Sequence, residues 1–175
     1  VPKMFNTFID FPKPIIMGVN GMGVGWGATV LSHADVVIMA ESAKLRAPFA
    51  ALGAVPEACS TEAFPRLLGY QQAFWFLTSG EWMSAQQCKQ AGLALAVVAD
   101  EELKAEAMQR AQTLAAFPRQ ALIRSKALIK RHHREAMRIA NREEMDCFNE
   151  MLEHPACKEG IGAFLEKRPA DFSAF

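Results

Sequence analysis

The amino-acid sequence predicts an α/β fold, in which a core of strands and helices is followed by a helical C-terminal region. Short apolar runs at residues 15–19 and 36–40, each bounded by turn signals, are typical of buried strands. A glycine-rich turn and a short helical segment separate the two runs, and this alternation favours an α/β core. From residue 60 onward, apolar residues recur mostly at helical spacing.

The predicted elements follow in chain order. Helical spacing over residues 4–9 predicts a first helix, and the strand at 15–19 leads into the glycine turn at 20–27. A helix at 28–32, the strand at 36–40 and a short strand at 44–47 come next. Further helices are predicted at 61–68, 71–77, 85–91, 101–117 and around 126–144, with one more strand at 93–98. Ser84 and Asp100 are the predicted N-caps of the helices that begin at 85 and 101.

Composition limits the function classes. A chain of 175 residues with about half of them apolar can bury one sizeable core with a helical appendage. Basic and acidic residues balance at 19 each, so the long-range positive field of a non-specific nucleic-acid-binding protein is absent and no nucleic-acid partner is expected. No apolar run is long enough to cross a bilayer, so no membrane partner is expected either.

The metal-ligating residue types form no recognisable metal motif. Four cysteines fit no zinc-type spacing and are interpreted as reduced thiols of an intracellular protein. The adjacent His132 and His133 point about 100° apart on a helix, so they are interpreted as a solvated face and no metal is expected.

The termini suggest where the protein resides. We find no signal peptide and no C-terminal Ser-Lys-Leu, which favours the cytoplasm and leaves the peroxisome and the mitochondrion open. Val1 is not an initiator methionine, and the apolar spacing that follows it needs a preceding partner. We therefore expect this chain to be the later part of a longer domain.

The glycine turn and Glu57 are the two features of the sequence that could take part in catalysis. A turn that exposes backbone N–H groups, together with one carboxylate on a nearby loop, has the parts needed to make and quench an enolate. Each has a structural alternative, since the glycines could serve only close packing and Glu57 could stabilise a helix N-terminus. Apolar neighbours would raise the pKa of Glu57 and the helix would lower it, and the sequence leaves this balance open.

Several motifs then occur in a characteristic order: Pro12-Lys-Pro-Ile-Ile-x-x-Val-Asn-Gly21, the Gly-x-Gly turn, Ala34-Asp35, residues 49–53, Pro56-Glu57 and Phe164-Leu-Glu-Lys-Arg168. Together they resemble the crotonase (enoyl-CoA hydratase/isomerase) superfamily over nearly the whole chain. Pro56-Glu-Ala-Cys-Ser-Thr61, followed by Phe64-Pro65, is most like the Δ3,Δ2-enoyl-CoA isomerases of the peroxisomal type and their bacterial relatives.

The resemblance implies an architecture and an assembly. Residues 1–117 would form a crotonase-like ββα spiral core that is partial at its N-terminus, and residues 118–175 a C-terminal helical trimerisation region. The resemblance also implies an acyl-CoA substrate, no cofactor, and a homotrimer or a dimer of trimers.

It further implies the chemistry of the site. The Trp26 N–H, between Gly25 and Gly27, would be one of two donors that hold a thioester enolate, and the second would come from an earlier segment that this sequence does not contain. Hydratases of the superfamily use two glutamates, whose places fall here on Thr29 and Phe49, so hydration is disfavoured. Glu57 is at the place of the isomerases' single acid/base.

The same resemblance assigns substrate contacts to Gly25, Gly27, Phe49, Phe148 and Lys167. Phe148 would lie beside the adenine of CoA and Lys167 would contact its nucleotide. The alternatives are an ordinary core aromatic for Phe148 and a solvated charge for Lys167. A basic cluster is interpreted as helix surface that could at most meet CoA phosphates; it comprises Arg124, Lys126, Lys130, Arg131 and Arg134.

Isomerisation of a 3-enoyl-CoA to the 2-trans-enoyl-CoA is therefore the leading hypothesis. One alternative is another crotonase-type reaction, hydration or thioester hydrolysis. The other is a catalytically silent acyl-CoA-binding module, against which the presence of Glu57 counts.

Overall fold

The computed structural model describes residues 2–175 of the chain. Its strands are β1 (Ile16–Val19), β2 (Met22–Val24), β3 (Val36–Ala40), β4 (Lys44–Arg46), β5 (Trp82–Ser84) and β6 (Ala96–Val98). Its helices are α1 (Pro2–Asp10), α2 (Trp26–Thr29), α3 (Ser60–Leu68), α4 (Tyr70–Ser79), α5 (Ala85–Gln90), α6 (Leu103–Ala115), α7 (Arg119–Ile129), α8 (Arg134–Glu153) and α9 (Pro155–Glu166). Short 3-10 helices occupy Val30–His33, Ala50–Leu52 and Asp100–Glu102.

The strands form two small sheets, and the chain crosses between them four times. In the first sheet β3 lies between β1 and β6, and both pairs are parallel. In the second sheet β4 pairs with β2 in parallel and with β5 antiparallel. Because β1 leads into β2 and α2, and β3 leads into β4 and later α3, the core repeats a strand–strand–helix unit. This arrangement confirms the predicted α/β fold.

The core of the protein surrounds the central strand β3. Ile38 and Met39 are fully buried there, together with Leu45 of β4, Phe64 of α3 and Phe5 of α1. The apolar run at 36–40 is therefore part of the interior, as a buried parallel strand requires, whereas the run that forms β1 is only half-buried.

The sequence predicts most elements, with a few errors. Strands at 15–19, 36–40 and 44–47 are confirmed within a residue or so, but β2 and β5 were not predicted. The helix predicted at 28–32 is wrong in its bounds, because α2 begins at Trp26 and a 3-10 turn replaces its second half. The charge-dense segment around 126–144 is divided between α7 and α8.

One predicted helix cap is confirmed and one is wrong. Ser84 forms a capping box with Gln87, in which each side chain accepts a hydrogen bond from the other residue's backbone N–H. Asp100 does not cap a helix with its side chain. Its carboxylate instead accepts hydrogen bonds from the backbone N–H of Ser42, at 3.0 Å, and from the Ser42 hydroxyl, so it ties the start of α6 to the β3–β4 turn.

A buried lysine fixes α7 to the core. Lys126 is 6% exposed, and its ammonium lies 2.6 Å from Asp35 Oδ2 and donates to Lys13 O at 2.7 Å. Lys130 lies 3.4 Å from the other Asp35 oxygen. Burial lowers the pKa of Lys126, while the Asp35 carboxylate opposes that shift. The interpretation of this basic cluster as helix surface is therefore wrong for Lys126, which stabilises the packing of α7.

Helix α8 joins the N-terminal helix to the rest of the molecule. Arg138 forms an ion pair with Asp10, and Asn141 Nδ2 donates to Asn6 Oδ1 at 3.1 Å. These bonds tie α8 to α1, which buries Phe5 and Ile9 in the core. Helix α8 also packs on α3, so it spans the distance from α1 to the loop that carries Glu57.

A histidine occupies a fully buried, aromatic position in this region. The ring of His33 stacks on Phe5 and Phe8, with ring centroids 5.8 and 5.2 Å apart. Neither of its ring nitrogens has a hydrogen-bond partner among residues 2–175. Burial, with a smaller contribution from the Lys130 charge, lowers the pKa of His33 to about 4.

We predict that His33→Phe removes a pH-dependent destabilisation. The unfolded chain takes up a proton near its ordinary pKa of 6.5, whereas the folded chain does so only near 4, so wild-type stability falls as the pH drops through this window. The loss is about 3 kcal/mol when complete. Urea unfolding at pH 7 and pH 4 should show the variant gaining on the wild type at the lower pH, and equal pH slopes would contradict the prediction.

Candidate active site

The glycine turn after β2 has a backbone that favours glycine at one position. Gly25 adopts φ 56° and ψ −120°, a conformation that side chains disfavour. Its N–H donates to Arg46 O at 2.9 Å, and its carbonyl accepts from the backbone N–H groups of Ala28 and Thr29 at 2.9 and 3.0 Å. The turn therefore continues the β2–β4 pairing on one side and starts α2 on the other.

Gly23 of the preceding strand β2 serves close packing. A Cβ at Gly23 would lie 2.7 Å from both Gly27 O and Leu45 Cδ2. The structural alternative for the glycines thus holds for Gly23. Gly27 has open space around its Cβ position and no positive φ, so no steric requirement for glycine is found there.

Trp26 presents a backbone N–H donor at the N-terminus of α2. It is the first residue of the helix, so its N–H has no acceptor within the helix. Its indole side chain is exposed. An N–H in this position is available to an acceptor outside the chain, as the sequence hypothesis requires.

Glu57 lies next to the same helix. Its side chain is half-buried, and Oε1 accepts a hydrogen bond from Thr29 Oγ1 at 3.2 Å. Thr29 is fully buried and comes three residues after Trp26 in α2. The structure thus brings Glu57 and Trp26 to the two ends of one helical turn.

The structure also settles the direction of the Glu57 pKa, which the sequence left open. Burial raises the pKa of Glu57, and the hydrogen bond from Thr29 opposes this shift without cancelling it. A carboxyl group with a raised pKa is a stronger base when it is ionised, which suits a group that must remove and return a proton.

The loop after Glu57 is held in an unusual backbone conformation. Ala58 and Cys59 have φ of 63° and 60°, in the left-handed region that non-glycine residues rarely adopt. Ser32 donates to Ala58 O at 2.6 Å, and the Ser60 hydroxyl donates to Glu57 O at 2.6 Å. Side chains therefore bind the Ala58 carbonyl and the carbonyl of Glu57 immediately before the strained pair.

A second carboxylate, not predicted from the sequence, reaches this loop from α8. Glu144 accepts hydrogen bonds from the Cys59 N–H at 2.6 Å, the Thr61 N–H at 2.9 Å and the Thr61 hydroxyl at 2.5 Å. Burial raises its pKa, these hydrogen bonds oppose the shift, and the Glu57 charge adds to it. Its signal in the sequence is a carboxylate at helical spacing from the buried Met137 and Ala140.

The thiol beside Glu57 is not a nucleophile in this site. Cys59 is fully buried, and burial raises its pKa to about 12, with further contributions from the charges of Glu144 and Glu57. A thiol with this pKa stays protonated at neutral pH, and the thiolate is the reactive form.

The remaining predicted residues lie on separate elements. Phe49 is buried in the core just before the 3-10 helix at Ala50–Leu52. Phe148 is half-buried on α8, one turn after Glu144. Lys167 ends α9 with φ 56° and an exposed side chain, and within the described chain no hydrogen bond or ion pair links that side chain to the Glu57 loop. The assignment of these three residues to substrate binding stays a prediction.

A cleft of about 500 Å³ opens between α8 and the segment before Glu57. Val55, Pro56, Ile139 and Ala140 form its apolar part, and Glu144 lies in its wall.

The described residues contain neither a cluster of metal-ligating side chains nor a helix able to span a membrane. Across residues 2–175, no three or more His, Cys, Asp or Glu side chains are grouped so that they could hold a metal ion. None of the helices described here combines the length and apolar character of a membrane span.

Comparison with known proteins identifies the class to which this fold and site belong. A family model described as enoyl-CoA hydratase/isomerase matches residues 1–174. The crystal structure of an enoyl-CoA hydratase/isomerase from Pseudoalteromonas atlantica T6c has a TM-score of 0.94 and 33% identity, and the match covers 98% of this chain and 69% of that one. The fold is therefore that of the crotonase superfamily, and the chain belongs to the enoyl-CoA hydratase/isomerase family.

Similar proteins carry both isomerase and hydratase names. The chain is 34% identical to enoyl-CoA delta isomerase 2 of Rattus norvegicus, over 95% of this chain and 43% of the rat protein. It is 32% identical to 2,3-dehydroadipyl-CoA hydratase of Escherichia coli K12, over 98% of this chain and 67% of that enzyme. The chain spans about half the length of the isomerases that it matches.

We predict that Thr29→Val raises the pKa of Glu57 further. Valine has the same shape as threonine but cannot donate the hydrogen bond that now favours the ionised carboxylate. The midpoint of Glu57 ionisation should therefore move to higher pH. Titration of the Glu57 side-chain carboxyl carbon by NMR measures this directly, and an unchanged or lower midpoint would contradict the role assigned to Thr29.

Proposed function

We propose that the protein is an acyl-CoA isomerase that converts a 3-enoyl-CoA to the 2-trans-enoyl-CoA, with Glu57 as its acid/base. The observation that carries the proposal is the half-buried Glu57 carboxylate, with its raised pKa, bonded to Thr29 of the helix that begins at the Trp26 N–H. Similarity to isomerases of rat and mouse supports the same reaction.

The reaction needs one base and a stabilised enolate. The Glu57 carboxylate removes a proton from C2, and the electron pair moves to the thioester oxygen. The Trp26 N–H donates to that oxygen together with a second donor. The protonated Glu57 then returns the proton at C4 as the double bond moves from C3–C4 to C2–C3. Because the proton is returned and no water is added, the reaction balances without a cofactor.

Two buried residues argue against hydration. In the family's hydratases, glutamates that position water stand where this chain has Thr29 and Phe49. Thr29 is fully buried and Phe49 is 6% exposed, and neither side chain can ionise to a carboxylate. A single carboxylate at the reacting carbon suffices for isomerisation and not for the two-glutamate hydration.

Membership of the family supports a proposal for the substrate and one for the assembly. We propose a CoA thioester as substrate, with Phe148 and Lys167 towards its nucleotide and no cofactor. We also propose a homotrimer or a dimer of trimers for the whole protein.

Another crotonase-type reaction is the second candidate, favoured by the similarity to an E. coli hydratase. Product analysis by mass spectrometry distinguishes the two, because hydration adds 18 Da to the thioester and isomerisation leaves its mass unchanged. A catalytically silent acyl-CoA-binding module is the third reading, and binding of CoA without turnover would support it.

We predict that Glu57→Gln lowers kcat for isomerisation by about 10²- to 10⁴-fold, because the amide cannot accept the C2 proton. The assay is the ultraviolet absorbance of the conjugated 2-enoyl thioester formed from a 3-enoyl-CoA by the full-length protein. Glu62→Gln is the matched control: it removes a carboxylate of α3 whose hydrogen bond is to Arg66, and it should keep wild-type turnover. A folded Glu57→Gln variant with wild-type kcat would overturn the proposal.

We also predict that two substitutions of Trp26 affect kcat differently. Trp26→Pro deletes the backbone N–H at the first position of a helix, where proline is accommodated, and should lower kcat by about 10²- to 10³-fold. Trp26→Ala removes the exposed indole and keeps the N–H, so its kcat should stay within a few-fold of the wild type. Equal losses in both variants would mean that the side chain, rather than the backbone donor, matters.

A further inference from the structure

We propose that Glu144 is a positioning residue, which fixes the loop that carries Glu57 by binding its backbone from across the molecule. The inference rests on the proposed function of Glu57. Glu144 lies on α8, more than 80 residues further along the chain, and is 6% exposed.

The contacts of Glu144 use both oxygens of the carboxylate. Oε2 accepts from the Cys59 N–H at 2.6 Å, and Oε1 accepts from the N–H and hydroxyl of Thr61 at 2.9 and 2.5 Å. One rigid, planar group therefore sets the positions of two residues that flank Ser60. Hydrogen bonds to an ionised acceptor are shorter and stronger than neutral ones, so this clamp is firm.

The clamp acts at the strained part of the loop. Ala58 and Cys59 both have left-handed φ, a conformation that persists in non-glycine residues only where the surroundings impose it. Glu144 binds the N–H and Ser32 binds the carbonyl of one peptide bond, the bond that joins Ala58 to Cys59. Ser60, between the two N–H groups that Glu144 binds, donates to the Glu57 carbonyl at 2.6 Å. The position of Glu57 therefore follows from that of Glu144.

A purely structural cap on α3 would have different consequences. A residue that only stabilises a helix end changes the free energy of unfolding and leaves the geometry of the active fraction intact. A positioning residue also changes kcat in protein that is fully folded, because a displacement of about 1 Å at the reacting group can cost about 10²-fold in rate.

The test compares Glu144→Gln with the wild type in the full-length protein. The glutamine oxygen can still accept at one of the two oxygen positions, but its amide group is a donor and opposes the backbone N–H at the other. Glu150→Gln is the matched control, since it removes a carboxylate from the same helix at an exposed position. Circular dichroism and thermal unfolding restrict the comparison to conditions under which every variant is folded.

Two readouts are measured under those conditions. We expect kcat for isomerisation to fall about 10- to 100-fold in Glu144→Gln, with KM within about two-fold, because the CoA-binding parts are unchanged. We also expect amide hydrogen exchange at Cys59 and Thr61, read by NMR, to become faster in this variant. Glu150→Gln should match the wild type in both readouts.

Failure of this inference is distinguishable from failure of the proposed function. Unchanged exchange at Cys59 and Thr61 in folded Glu144→Gln would overturn the clamp, and faster exchange with wild-type kcat would overturn the positioning role. Glu144→Asp, which keeps the charge on a shorter side chain, should fall between wild type and Glu144→Gln. A wild-type protein that shifts no double bond would refute the isomerase proposal, and exchange would then decide by itself whether Glu144 holds the loop.

Discussion

The left-handed backbone at Ala58 and Cys59 is the constraint on which this site depends. Each such residue costs about 1–3 kcal/mol, so the loop keeps its shape only because other parts of the molecule bind it. Ser32, in the 3-10 turn that follows α2, binds the Ala58 carbonyl. Because that turn also continues the helix that starts at Trp26, the donor and the carboxylate are placed by one short stretch of chain.

The same constraint explains why the C-terminal helices matter to a site formed by the first 60 residues. Helix α8 is located by its bonds to Asp10 and Asn6 of α1 and by its packing on α3. Helix α7 is located by Lys126, which binds Asp35 and the Lys13 carbonyl in the segments that precede β3 and β1. Buried Lys126 and Asn141, together with the exposed Arg138, thus join α7 and α8 to the N-terminal part of the chain.

The sequence reveals the features that local chemistry dictates and misses those that depend on distant partners. Buried strands and the glycine turn are visible because apolar runs and glycines leave local signals. The three-residue strands β2 and β5 are too short for a period to emerge, and β2 itself contains Gly23. Asp100 looks like a helix cap until Ser42, far away in the chain, supplies two donors.

The residues of the candidate site also divide into those visible from local sequence and those that depend on distant partners. Trp26 and Glu57 are predicted from motifs, because the backbone donor and the carboxylate each lie in a distinctive local pattern. The sign of the Glu57 pKa shift was not accessible, since it depends on how far the folded chain buries the group. Glu144 was missed because its three donors lie more than 80 residues away, and only the folded chain shows which loop its carboxylate reaches.

The direction in which the Thr29 hydroxyl donates depends on the protonation state of Glu57. Its single hydrogen has two acceptors at the same distance of 3.2 Å, the Glu57 carboxylate and the Gly25 carbonyl, and it can point fully at only one of them. When Glu57 is ionised, the hydrogen is drawn to the carboxylate. When Glu57 carries a proton, its own O–H can donate to Thr29, and the threonine hydrogen turns to Gly25. Protonation of Glu57 therefore changes the hydrogen bonding of the Gly25 carbonyl, in the turn that precedes Trp26, by rotation of one O–H bond.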